Sequence, residues 1–177
     1  MLSKKNYRVL LVYPPISIYG SAKVEPHIPT GLVYIATYLK SLGYIVKILD
    51  ALTYQKVSRS RNKITKIGLG YEEIRKKVLK FKPNLIGISV MYSAFEDDGI
   101  RLAKYLKKKF ENTPVVLGGS AISVHPDEIM NQNKEIDFVV KGEGEISMGN
   151  LMKALQGSEN FDEISGLYWR NNNKVVQ

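Results

Sequence analysis

The chain has 177 residues, enough for one domain with a full hydrophobic core. It contains no cysteine and only two histidines, His27 and His125, which excludes disulfides, thiolate catalysis and cysteine-ligated zinc or iron–sulfur centres within these residues and argues against a histidine-rich metal site. Its net charge of +9 is a local excess, because ten of the 26 lysines and arginines fall between Lys56 and Lys82 against Glu72 and Glu73 alone. No apolar run reaches the ~20 residues of a bilayer span. Met1-Leu2-Ser3-Lys4-Lys5 passes into a strand pattern without the apolar core of a signal peptide, so a cytoplasmic protein away from membranes is expected.

Apolar strand-like runs then alternate with amphipathic helical ones, the pattern of parallel βαβ units. The first strand is Arg8 to Tyr13, ended by Pro14-Pro15. After a long loop, Pro29-Thr30-Gly31 opens a helix with Leu32, Ile35, Ala36 and Leu39 on one face, Thr30 as its expected cap and Gly43 as its stop. The second strand, Tyr44 to Leu49, finishes at Asp50. Ser58 to Gly70 reads as a basic loop, and the helix after it turns Tyr71, Ile74, Val78 and Phe81 inward, leaving Arg75, Lys76, Lys77 and Lys80 to solvent.

Pro83-Asn84 leads into a third strand, Leu85 to Val90. A helix from about Glu96 to Phe110 should bury Ile100, Ala103, Leu106 and Phe110, with Glu96, Asp97 and Asp98 as first-turn charges favoured by the helix dipole. A fourth strand (Pro114 to Leu117), a short helix from Pro126, a fifth strand (Ile136 to Val140) and a last helix (Glu145 to Leu155) follow. The expectation is an α/β fold, a flavodoxin-like doubly wound parallel sheet of five strands in the order 2-1-3-4-5, spanning residues 1–157. Residues 158–177 read as a linker and a β-hairpin, Leu167 to Arg170 against Lys174 to Val176 around Asn171-Asn172-Asn173. The apolar edge at Val175-Val176 leads us to expect a piece of a longer protein.

Ligands of such sheets meet the C-terminal strand ends near the switch point. Those ends hold Tyr13-Pro14-Pro15, Ser89-Val90-Met91-Tyr92-Ser93, Gly118-Gly119-Ser120 and Gly142-Glu143-Gly144. No Gly-x-Gly-x-x-Gly follows the first strand, and its prolines have no amide to offer a pyrophosphate or a flavin phosphate. A phosphoacceptor site would need acids where Tyr13 and Ser89 stand. Small hydroxyls at Ser89 and Ser93, close backbone approach at Gly87 and Gly118-Gly119, and helix-start amides after Gly142-Glu143-Gly144 suit a large, mostly neutral ligand. Each element alone also fits an ordinary turn; their occurrence together at adjacent strand ends favours a site. Gly119→Val is then expected to block the ligand's path and spare the fold.

In chain order, Val9-Leu10-Leu11-Val12-Tyr13-Pro14-Pro15, Pro29 to Ala36, Gly43 to Asp50, Pro83 to Ser89, Val115 to Ser120 and Asp137 to Glu145 resemble the cobalamin-binding domain that precedes the catalytic barrel of cobalamin-dependent radical SAM enzymes. The resemblance implies cobalamin as cofactor, its nucleotide tail entering between strand ends at Ser89-Val90-Met91 and Gly118-Gly119. It implies cofactor-binding roles for Tyr13, Pro14, Pro15, Ser89, Met91, Tyr92, Ser93, Gly118, Gly119, Ser120, Gly142, Glu143 and Gly144. It further implies an accessory domain of a methyltransferase or cyclase, with S-adenosylmethionine and a 4Fe-4S cluster held by a C-terminal radical SAM domain in cis. This chain has no catalytic constellation of its own.

Glu25-Pro26-His27-Ile28-Pro29-Thr30-Gly31 is one residue longer than the Asp-x-His-x-x-Gly of methionine-synthase-like relatives, so His27 is not expected to ligate cobalt. His125, before Pro126, reads as a loop or cap residue. The alternative function is a nucleic-acid- or partner-binding flavodoxin-like domain that uses the basic 56–82 segment; the absence of interleaved aromatic residues argues against a stacking platform there. A third reading is a flavodoxin-like scaffold without a ligand.

Overall fold

The computed structural model describes residues 6–20, 28–59, 63–172 and 174–177. The strands are β1 (Arg8–Tyr13), β2 (Ile16–Tyr19), β3 (Ile45–Asp50), β4 (Val57–Arg59), β5 (Ile64–Ile67), β6 (Leu85–Ser89), β7 (Val115–Gly118), β8 (Phe138–Val140), β9 (Leu167–Asn171) and β10 (Lys174–Val176). The helices are α1 (Thr30–Ser41), α2 (Tyr71–Phe81), α3 (Glu96–Lys109), α4 (Pro126–Gln132) and α5 (Gly144–Ala154). Among the described residues no helix is long and apolar enough to cross a membrane.

The main sheet runs β10-β9-β8-β7-β6-β1-β3. Strands β3, β1, β6, β7 and β8 pair in parallel, so among themselves they stand in the order 2-1-3-4-5. Helices cover both faces, which is why β1 and β6 are apolar at nearly every position rather than alternating. On one face α1 and α5 pack Leu32, Leu39, Met148 and Leu151 against Leu11 and Val116. On the other, α2, α3 and α4 bury Ile74, Val78, Leu102, Leu106 and Ile129 against Leu10, Val12 and Ile86.

Four expectations need correction. The C-terminal hairpin extends the main sheet to seven strands, since β9 pairs antiparallel with β8 through Phe138↔Trp169, Val139↔Tyr168 and Val140↔Leu167. The expected long loop after Pro14-Pro15 and the expected basic loop from Ser58 to Gly70 contribute to a second sheet, β2-β5-β4, in which Thr65 and Ile67 turn inward while Ile64 and Lys66 stay exposed. That is a period-two alternation. Thr30 is the first helical residue of α1 rather than its cap; Pro29 precedes it and accepts the Val33 amide at 3.1 Å.

The fourth correction concerns α3, which is rotated relative to the expected face. It buries Asp98, Gly99, Leu102, Ala103 and Leu106, leaving Ile100 and Phe110 partly covered. Asp98 is a first-turn charge as expected, but a buried one: it accepts the Ser17 amide at 2.6 Å and the Ser17 hydroxyl at 2.8 Å, pinning β2 to the start of α3. A carboxylate so buried is stable only with such partners.

Candidate functional site

At the C-terminal ends of β6, β7 and β8 a cleft of about 450 Å³ opens between the sheet and the N-terminal turns of α1 and α5. Its inner wall is Leu11, Gly87 and Val116 from the sheet, faced by Leu32 and Ile35 of α1 and Met148 of α5. Gly87 is central to that wall, paired with Leu11 on one side and Val116 on the other. A Cβ there would meet Leu11 Cδ2 at 2.9 Å, so the strand's lack of a side chain creates depth. Ser89, two residues along and therefore on the same face, sits nearer the mouth.

The mouth is built by two turns stitched together. Ser89 pairs with Gly118 and Gly118 with Val140, aligning the three strand ends. The chain then reverses at Gly119, with φ +106°, and Val90 N–H donates to the Gly118 carbonyl at 2.8 Å. The Ser123 hydroxyl donates to the Gly119 carbonyl at 2.9 Å and accepts the Gly142 amide at 3.1 Å, while the Ser120 hydroxyl donates to the Met91 carbonyl. Both helices begin at the cleft without a side-chain cap, so their free amides and positive dipole ends converge on its mouth. Glu143 and Glu145 add carboxylate acceptors beside them.

The arrangement offers a ligand an apolar interior under a polar mouth. The Ser120 and Ser123 hydroxyls donate to the Met91 and Gly119 carbonyls, so both are committed to holding the turns. Among the described residues no group of three metal-ligating side chains occurs. His125 is turned away, its Nε2 at 3.0 Å from Glu96 in a separate polar groove between α3 and α4. His27 lies outside the described residues.

Of the residues expected from sequence, the cleft unites Ser89, Met91, Gly118, Gly119, Ser120, Gly142, Glu143 and Gly144. It does not include Tyr13, Pro14 or Pro15, which are buried where the chain turns into β2, nor Tyr92 and Ser93. Pro15 packs against Gly68, the residue that follows β5, which explains why it faces away. Burial, reinforced by Tyr92 and Asp50, raises the Tyr13 phenol above its ordinary value. Tyr92 stands edge-on to Phe95 at 6.1 Å, leading into α3. The α1 wall (Gly31, Leu32, Ile35) and Met148 were not anticipated; a glycine in the first turn of α1, where it weakens a helix, was the available signal.

Gly119 also departs from expectation. A Cβ there would lie 2.3 Å from the Val90 carbonyl oxygen and 2.8 Å from its carbon, so a side chain strikes the neighbouring strand's backbone rather than the ligand's path. The basic 56–82 segment, offered as an alternative interface, lies away from the cleft. Its described residues form β4, β5 and α2, with Lys56 paired to Glu73, Lys77 to Tyr54 and Lys66 over the Tyr71 ring.

The family model described as B12 binding domain matches residues 17–152. The chain belongs to the B12-binding domain family. This B12-binding domain is 33% identical over 172 residues to an uncharacterized methyltransferase of Pyrococcus horikoshii, covering 97% of this chain and 34% of that protein. It is 27% identical over 172 residues to the anaerobic magnesium-protoporphyrin IX monomethyl ester cyclase of Synechocystis, covering 96% of this chain and 32% of the cyclase. The chain thus spans about a third of the length of these curated relatives.

Its fold is shared with the radical S-adenosylmethionine methyltransferase TsrM from Kitasatospora setae with cobalamin and a 4Fe-4S cluster bound, at TM-score 0.70 and 24% identity over 99% of this chain and 29% of that one. The cobalamin-dependent S-adenosylmethionine radical enzyme OxsB with aqua-cobalamin bound gives TM-score 0.73 at 18% identity over 97% and 22%.

Proposed function

We propose that this B12-binding domain holds cobalamin with its nucleotide arm in the α1/α5 cleft, as the accessory domain of a radical SAM methyltransferase or cyclase whose catalytic barrel lies in cis. The observation that carries the reading is the cradle itself: a wall that a Cβ at Gly87 would fill, beneath glycine turns at Gly118-Gly119 and Gly142-Glu143-Gly144. A flat corrin bearing amide side chains is too broad for a slot of about 450 Å³, whereas an aromatic base on a ribose phosphate suits one with an apolar interior and polar mouth. When bound, the cofactor supplies the cobalt–carbon chemistry.

The chain's own residues bind and orient. Leu32, Ile35 and Met148 exclude water from the arm, and the Ser89 hydroxyl and helix-start amides offer polar contacts at the mouth. Ser123 holds the two glycine turns at fixed separation. The barrel in cis, with its S-adenosylmethionine and 4Fe-4S cluster, is supported by relatives about three times as long as this chain.

The test is retention: the purified chain mixed with hydroxocobalamin should keep a pink chromophore through desalting, with a changed visible spectrum. A colourless protein at micromolar concentrations overturns the reading.

A further inference from the structure

We infer that the cleft selects among cobamides by the polarity of the lower base, discriminating against bases that carry several hydrogen-bonding groups. The inference rests on the proposed placement of the nucleotide arm and goes on to the chemistry of the base it accepts. Leu11, Leu32, Ile35, Val116 and Met148 line the inner cleft without a single N–H or O–H on their side chains. The peptide groups of β6 at Gly87 are engaged in ladders with β1 and β7 on both edges, so the sheet offers nothing either. The hydroxyl on the same face, that of Ser89, stands two residues along the strand, about 6–7 Å away. Ser120 and Ser123, at the mouth, already donate to backbone carbonyls.

A base in this interior loses its water and receives no replacement partner. An exocyclic amine and three ring nitrogens then carry an uncompensated desolvation penalty, larger than that of the single free ring nitrogen of dimethylbenzimidazole, while the cresol ring has no such nitrogen. Met148 adds tolerance of shape, because an unbranched thioether re-packs around rings of different outline. The cleft therefore accepts dimethylbenzimidazolyl and p-cresolyl cobamides and disfavours the adenyl form.

Calorimetric titration of the full chain with the three cobamides, differing only in the lower base, tests this. Adenyl cobamide should bind at least about tenfold more weakly than dimethylbenzimidazolyl cobamide, the loss expected for one buried group left unpaired. Base displacement from cobalt cannot mimic this order, since the more basic benzimidazole holds cobalt more tightly and would suffer more. A ratio below tenfold, or the reverse order, overturns the inference and leaves cobalamin binding standing. Failure of all three to bind overturns both.

Discussion

Replacing Gly119 by alanine should destabilise the ligand-free protein substantially. The residue sits at φ +106°, a conformation costing an L-residue about 1–2 kcal/mol. The added Cβ would also meet three backbone atoms of Val90 at 2.3, 2.8 and 2.9 Å. That peptide has little room to yield: its N–H donates to Gly118 and its carbonyl accepts the Ala121 amide at 3.3 Å. The Val90 side chain is packed so closely on Gly99 that a Cβ there would lie 2.2 Å from Val90 Cγ2. Forcing the two strands apart adds about 1–3 kcal/mol, as overpacking does elsewhere. The sum, about 3 kcal/mol, is a large share of the ~5–15 kcal/mol that holds a domain folded. With a urea m-value of about 2 kcal/mol/M, the midpoint should fall by about 1.5 M in titrations followed by far-ultraviolet circular dichroism. Gly118→Ala is the control, since its Cβ would come no closer than 3.4 Å to the Val140 carbonyl, and its midpoint should stay within about 0.3 M of the parent. A Gly119→Ala midpoint equally close to the parent would refute the geometry of the turn.

Gly144→Leu should separate binding from folding: its Cβ meets only the flexible tip of Ile35, at 2.7 Å, so the urea midpoint should move by less than about 0.5 M. Cobalamin affinity should drop at least about tenfold as the α1/α5 gap fills, and unchanged affinity would place the ligand elsewhere. Asp98→Ala strands the Ser17 amide and hydroxyl, at a cost of about 2–3 kcal/mol, and should lower Tm by about 4–10 °C in a thermal melt. An unchanged Tm would show that the β2–α3 pin carries no stability.

Alkaline stability follows from phenols whose ionisation the fold resists. Burial, with Asp98 adding, pushes Tyr71 up to about 12, and burial also raises Tyr13 and Tyr168. Groups with a raised folded pKa stabilise fully below their unfolded value near 10, and that contribution is lost as pH climbs towards about 12. Urea midpoints should be level below that window and fall within it; a level midpoint throughout would contradict the burial of these phenols.

The parallel strands were readable because both their faces are covered, so β1, β6 and β7 stand out as apolar runs bounded by proline and glycine. Their glycine and serine ends marked most of the cleft's mouth. Strand β5 was hidden because Lys63 and Lys66 drew attention to charge, although Ile64-Thr65-Lys66-Ile67 alternates as a half-buried strand should. The role of Asp98 could not be read locally, because its partner Ser17 is 81 residues away. Nor could the direction of a side chain at Gly119, which depends on a backbone angle that only the packed turn imposes. The α1 wall escaped for a related reason: nothing in Leu32 or Ile35 distinguishes a core contact from the lining of a cleft.

The methionines offer the most direct test of where cobalamin lies. Met148 lines the inner cleft and Met91 its mouth, whereas Met130, on the inner side of α4, is fully buried on the opposite face of the sheet. In methyl-resolved carbon–proton spectra of the methyl-labelled chain, titration with diamagnetic hydroxocobalamin should shift the Met148 and Met91 resonances strongly and leave Met130 in place. Movement of Met130 with Met148 unchanged would contradict binding in the α1/α5 cleft.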